Sequence, residues 1–217
     1  MSHKVHPMSY RRRRIEDWDS RGFYKEPAKI LEEDFKVRNF LNEKLKKIGI
    51  EKVEIERFPE KLNVIISSAR PGLIIGRGGE GVEKLKKELE IKVINKSRNE
   101  KEKLNLRIEI REIKNPWTSA SLSAQWVAQQ IEKRMPYRRV LKMAIGKIEE
   151  VKEIKGSRVE VAGRLNGAEI SRREWLAHGR LPKQTIRAKI DYAKASARCS
   201  YGTTGVKVWL YKGEKFD

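Results

Sequence analysis

Cysteine is all but absent. Cys199 is the only one in 217 residues, so no disulfide can form within the chain, and a reducing compartment is expected. Histidine is nearly as scarce: three in all, two of them within the first six residues, too few for a metal site. No apolar run approaches membrane-spanning length and the basic start holds no apolar signal core, so a cytoplasmic chain is expected. There is no basic helix with a wide apolar face and no lipidation signal, which argues against a membrane surface as partner. No activated nucleophile, paired carboxylate or Walker loop stands out. Enzyme chemistry is therefore not expected, and no cofactor with it.

What is abundant is positive charge: 50 Lys+Arg against 30 Asp+Glu, a formal net charge of +20. Charged residues make up 37% of the chain, with both signs mixed, unlike a disordered polybasic tail. The surplus is uneven, and over half of it lies from residue 116 onward, where 21 basic residues face 10 acidic ones. Such a surplus implies a polyanionic partner. The length suits one large domain or two small ones. Residues 1–30 read as an extended basic arm, with Arg11, Arg12, Arg13 and Arg14 in a row among Tyr10, Trp18, Phe23 and Tyr24. Aromatics are uncommon in a free tail, so an arm that orders on RNA is favoured over a flexible one.

The most informative run is residues 70–85, where Gly76-Arg77-Gly78-Gly79 has the G-x-x-G form of a KH loop. Glycines there let the backbone approach a nucleic-acid strand that a Cβ would hold off. With one charge in the loop, backbone clamping with little base selectivity is expected. The same run matches G-x-G-x-x-G at Gly76, Gly78 and Gly81, the dinucleotide fingerprint. Against that reading, the strand candidate Ile91–Ile94 is followed by Asn95-Lys96-Ser97-Arg98, with no acid to hold a ribose. A plain glycine-rich turn is the third reading.

The flanking pattern weighs the alternatives. Asp34 to Ile48 reads as a helix with Phe35, Val37, Phe40, Leu41, Leu45 and Ile48 mostly on one face. Alternation at Val53 and Ile55, then at Leu62, Val64 and Ile66, reads as two strands turned by residues 58–61. A short helix, the glycine loop, a helix bearing Val82, Leu85 and Leu89, and a strand through Leu104, Leu106, Ile108 and Ile110 follow. Helix, strand, strand, helix, loop, helix, strand is the type-two KH order, here spanning residues 31–115. Asn115-Pro116 marks the boundary. Residues 116–217 read as two helices, Thr118 to about Met135 and Pro136 to about Val151, on a four-stranded antiparallel sheet. Its strands are expected at Arg158–Gly163, around Glu169–Arg172, at Thr185–Ala197 with a bulge at Asp191-Tyr192, and at Val206–Tyr211. The expected class is α+β: a three-stranded KH domain followed by a two-layer C-terminal domain.

Between Glu132 and Glu149 there is no acid but six basic residues, among them Arg138, Arg139 and Lys142 on one helical face. An unrelieved positive face suggests phosphates opposite. Trp209 and Tyr211 could stack on bases, but packing beneath the helices is favoured. His178 reads as a loop or RNA contact.

Together these motifs resemble the small-subunit ribosomal protein three family in its bacterial and organellar form. The resemblance is carried by Lys4-Val5-His6-Pro7, Asp34-Phe35-Lys36-Val37-Arg38, Ala69-Arg70-Pro71-Gly72 with the glycine loop, and Arg138-Arg139 with Lys142. It continues through Gly163-Arg164-Leu165, Gly167-Ala168-Glu169-Ile170, Glu174-Trp175, Ile190-Asp191-Tyr192 and Tyr201-Gly202 to Gly205-Val206-Lys207-Val208-Trp209. It implies a structural constituent of the small subunit that binds ribosomal RNA in the head. Gly76, Arg77, Gly78, Gly79, Lys84, Lys4, His6, Arg11 to Arg14, Arg164 and Arg172 would touch that RNA. It further implies that Arg138, Arg139 and Lys142 line the mRNA channel and help structured messages through. The neighbours would be small-subunit proteins ten, fourteen and two in the head and four and five at the mouth of the channel. A free KH regulator is the rival reading, but the chain has no second G-x-x-G leading into a helix; Gly202-Thr203-Thr204-Gly205 leads into the strand candidate Val206–Tyr211.

Overall fold

The computed structural model describes residues 5–11, 18–22, 27–45, 48–58, 61–94 and 105–214. The chain divides into two compact units, one from Asp17 to Lys114 and one that joins the preceding N-terminal segment to Asn115–Asp217. Residues 1–30, expected as one arm, thus serve both units. Helix α1 (Pro7–Arg11) belongs with the second and strand β1 (Ser20–Gly22) with the first. Lys4, Arg12, Arg13 and Arg14 lie outside the described residues.

The first unit runs α2 (Pro27–Lys44), β2 (Ile50–Arg57), β3 (Lys61–Ser68), α3 (Pro71–Ile75), α4 (Glu80–Leu89) and β4 (Asn105–Glu112). Its sheet order is β1-β2-β3-β4, with β2 and β3 antiparallel and β3 and β4 parallel. The expected three strands gain a fourth, because β1 pairs in parallel with β2. Alternation in β2 and β3 sends Val53, Ile55, Leu62, Val64 and Ile66 into one core with Val37 and Leu41 of α2 and Leu85 and Leu89 of α4.

Helix α2 begins seven residues before the expected Asp34, since Pro27 is suited to a first turn. Phe35, expected on the buried face, is 64% exposed. It lies off the stripe set by Val37 and Leu41. Two acids sit inside instead: Arg57, 5% exposed, donates to Asp34 at 2.6 Å and to Glu33 at 2.8 Å. Burial holds the Asp34 carboxyl above the ordinary carboxylate range despite the pull of Arg57. The stretch Ile91–Ile94, weighed as a strand, is a π-helical continuation of α4 (Glu90–Ile94).

The second unit carries α5 (Ala120–Glu132) and α6 (Tyr137–Glu149), then β5 (Gly156–Gly163), β6 (Arg172–Gly179), β7 (Ala188–Cys199) and β8 (Gly202–Glu214). The sheet is antiparallel in the order β6-β5-β8-β7. Its inner face (Val159, Val161, Val206, Val208, Leu210 and Ala197) packs on Val127 and Ile131 of α5 and Val140, Leu141, Ala144 and Ile148 of α6. The expected strand at Glu169–Arg172 only starts at Arg172; a 3-10 turn at Leu165–Gly167 comes before it.

Two further expectations are corrected. Trp209 and Tyr211 are not beneath the helices. Their parity is opposite to that of Val208 and Leu210, so they sit on the outer face, where Trp209 packs against a small cluster of Ala188, Ile190 and Tyr211. The phase slip in β7 is not a bulge at Asp191-Tyr192 either. Residues Ala188, Ile190 and Tyr192 face that outer cluster, whereas Ala193, Ala195 and Ala197 face the helices. The register irregularity falls between Ala188 and Ile190, where β8 holds one extra residue.

Replacing Arg57 by Ala removes the cation that two buried carboxylates share. The first unit is expected to lose about 3–5 kcal/mol of stability, read as an earlier unfolding transition of the full chain in urea.

Candidate nucleic-acid interface

The glycine loop is built by two helices crossing at their ends. Helix α3 opens on Pro71 and closes where the Gly76 amide donates to Gly72 O at 3.0 Å. Gly76 (φ 71), Gly78 (φ 60) and Gly79 (φ 84) all hold positive φ on the way into α4. They differ in what surrounds them. A Cβ on Gly76 would come 3.0 Å from Gly81 N, and one on Gly81 would meet Ile74 O at 2.5 Å. A Cβ on Gly78 or Gly79 would meet nothing within 4 Å. Gly76 and Gly81 therefore let the helices touch, while Gly78 and Gly79 present bare backbone to the outside.

This geometry also explains the fingerprint match. In a dinucleotide site the glycine loop follows a strand directly. Here α3 intervenes after β3, and the third glycine of the pattern packs helix on helix. Arg77 is exposed, and so are Leu73 and Ile75 of α3, an apolar shoulder beside the loop. Lys84 is half engaged by an ion pair to Glu80 at 2.5 Å, one turn back on α4.

In the second unit, the buried stripe of α6 (Val140, Leu141, Ala144, Ile145, Ile148) turns Arg138, Arg139 and Lys142 outward, and all three are exposed. The face is not wholly unrelieved. Glu174, from β6, accepts from the Tyr137 hydroxyl at 2.7 Å and from Arg138 at 3.4 Å. The Tyr137 hydrogen bond first, then Arg138, pulls the Glu174 carboxyl below its ordinary range; the bond to Glu174 raises Arg138. Sequence reasoning missed Glu174 as a partner because it lies 36 residues from Arg138. Arg139 and Lys142 have no ion pair among the described residues. Lys147, counted with this patch in the sequence, points elsewhere. Its ammonium lies 4.9 Å from the Trp126 ring centre and 5.3 Å from that of Trp117, which brace the start of α5.

The remaining sequence-predicted residues are dispersed. Arg11 donates to the carbonyls of Pro7, Pro182, Lys183 and Thr185, so its charge fastens α1 to the loop before β7. The His6 ring meets Tyr192 edge-on at 4.9 Å. Arg164 donates to Ala168 O at 3.0 Å and Tyr201 O at 3.3 Å, holding the turn after β5. Arg172 is exposed at the start of β6, and His178 stands 3.1 Å from Glu149 at the end of α6.

Residues 36–118 match the KH domain family, and residues 127–210 match the family described as ribosomal protein S3, C-terminal domain. Small ribosomal subunit protein uS3 of Caldicellulosiruptor saccharolyticus is 45% identical over 216 residues, 99% of this chain and 93% of that protein. The chain belongs to the ribosomal protein S3 family. The uS3 protein of Thermodesulfovibrio yellowstonii is 47% identical, covering 99% of this chain and 95% of its own length. An organellar form, small ribosomal subunit protein uS3c of Chlorokybus atmophyticus, is 42% identical over 220 residues, covering all of this chain and 97% of itself. The S3 family thus spans both units.

A glycine wedged against backbone and a neighbouring one in open space should separate by mutation. Gly81→Ala forces α3 and α4 apart and is expected to cost about 1–3 kcal/mol in the first unit, as overpacking does. Gly72→Ala, where a Cβ meets nothing within 4 Å and no positive φ is held, should stay within about 0.5 kcal/mol. Urea unfolding of the two full-length variants distinguishes them.

Proposed function

We propose that this S3-family chain is a structural constituent of the small ribosomal subunit, a ribonucleoprotein component and not an enzyme. Its glycine loop would clamp small-subunit ribosomal RNA in the head, and Arg138, Arg139 and Lys142 would line the mRNA channel. The observation that carries the channel reading is the outward row on α6, in which Arg139 and Lys142 lack ion pairs among the described residues. Arg138 is oriented by Glu174 and Tyr137. Two unneutralised cations one helical turn apart repel each other by a few tenths of a kcal/mol, and a phosphate chain relieves that repulsion. The glycine loop adds backbone without side-chain obstruction, the surface a single strand can approach.

Neighbours in the particle would be small-subunit proteins ten, fourteen and two, with four and five near the channel mouth. Lys4 and Arg12 to Arg14, outside the described residues, would extend the RNA contacts. Arg11 would act indirectly, by fixing α1.

Assembly is read by sedimenting the tagged chain from its own lysate through a high-salt gradient, which strips loosely held basic proteins. About one copy per small subunit is expected; a chain left at the top refutes the ribosomal reading. The Arg139→Ala, Lys142→Ala double variant should still assemble, because neither side chain packs in the core. Translation of hairpin-bearing messages should slow relative to unstructured ones; an unchanged ratio refutes the channel role.

A further inference from the structure

The outer face of the β6-β5-β8-β7 sheet, away from α5 and α6, has no role in the reading above. The registers place its side chains in cross-strand rows. Trp175, Glu160, Lys207 and Lys194 lie side by side across all four strands, and beside them run Ala177, Arg158, Trp209 and Tyr192. We propose that this face docks single-stranded RNA, with a base stacked on Trp175 and phosphates over Lys194 and Lys207. The proposal rests on the ribosomal reading and deepens it by naming a second RNA surface.

Three observations carry it. First, Trp175 is 53% exposed yet held in place: the Arg158 guanidinium lies 4.3 Å from its ring centre and 5.5 Å from that of Trp209. An indole fixed on one side by a cation offers its other side with little ordering left to lose. Second, Glu160, the only acid in these rows, is 4% exposed and already answered by Arg158 at 2.9 Å and Arg173 at 3.8 Å. Third, Lys194 and Lys207 sit directly opposite each other, and neither has an ion pair among the described residues. Like charges in that position destabilise a sheet, and a phosphate chain would reverse the sign of the effect.

Aromatic and basic residues together suit a strand that offers π faces and phosphates in alternation. A protein partner laid on the same face would have to desolvate two lysines, and Glu160, the acid of their row, is already paired with Arg158 and Arg173. The His6 ring against Tyr192 closes the face on the β7 side, so access is from β6.

The test uses the full chain with its glycine loop silenced by Arg77→Asp and Gly78→Asp. Aspartate tolerates positive φ better than most residues, and a Cβ at Gly78 meets open space. The probe is a 12-nucleotide uridine RNA, followed by fluorescence anisotropy. The silenced chain should still bind. Adding Trp175→Ala should weaken binding about 5- to 100-fold, and Trp175→Phe should restore most of it by returning a stacking ring. Replacing Lys194 and Lys207 by Ala should flatten the log–log salt dependence by about 1.4. A silenced chain that no longer binds, or a Trp175→Ala chain that binds as its parent does, overturns the proposal. So does cross-linking of this face to protein and not to RNA in the small subunit. The ribosomal reading is judged separately, by sedimentation, so the two can fail independently.

Discussion

Each sheet has two faces and, in the second unit, α5 and α6 cover only one of them. Helices α5 and α6 take the valines and alanines of alternate positions, and the other parity is left to the side chains themselves. There the chain uses Arg158 as a wedge between two indoles and Glu160 as its buried counter-ion. The outer face is therefore braced without a helical layer over it. A cation held between rings, with its carboxylate beside it, replaces the packing that a helix would have supplied. The N-terminal helix α1 is fastened at the β7 end of this arrangement by Arg11 and His6, far in sequence from what it touches.

The same economy governs the whole charge surplus. A formal +20 suggests a uniformly phosphate-seeking surface, but several arginines are engaged by acceptors of the chain itself. Arg57 neutralises two buried acids, Arg38 donates to Val53 O and Asp19 O, Arg164 holds a turn, and Arg11 holds a helix. Arginine suits these tasks because its planar fork can satisfy several acceptors at once. Among the cations left facing outward are Arg77 at the glycine loop and Arg139 and Lys142 on α6. Net charge identifies the class of partner, and the arrangement of internal acceptors decides where that partner can sit.

Much of the architecture was legible in the chain because it follows local periodicity. The period-two runs at Val53–Ile55, Leu62–Ile66 and Leu106–Ile110 set strands, and Pro136 marked the start of α6. What escaped depends on partners distant in sequence. Nothing near Phe35 reveals that the core stripe of α2 passes it by, and nothing near Trp209 says which side of β8 the helices take. The apparent slip in β7 is the clearest case. A strand whose first half is buried on one face and whose second half is buried on the other reads as a broken alternation, although its backbone parity is continuous. At the candidate site, the cationic trio on α6 was legible and its orienting acid, Glu174, was not, because cross-element pairs leave no local pattern.

The glycine run shows how one motif can carry two meanings. Four glycines within six positions satisfy both the KH pattern and the dinucleotide pattern, and composition cannot separate them. Geometry can. Gly76 and Gly81 are small because each lies against the backbone of the other helix end, so their conservation of space serves the fold. Gly78 and Gly79 are small although nothing crowds them, so within the chain only their positive φ accounts for them. A loop that keeps its backbone bare toward empty space is suited to the close approach of something from outside. Beside it lie one arginine and the apolar side chains of Leu73 and Ile75, and ahead of it a helix instead of a strand. That setting favours a polynucleotide backbone over a dinucleotide, because the pyrophosphate cradle needs a strand to deliver the loop and an acid to hold the ribose. The helix before the loop removes the first of these.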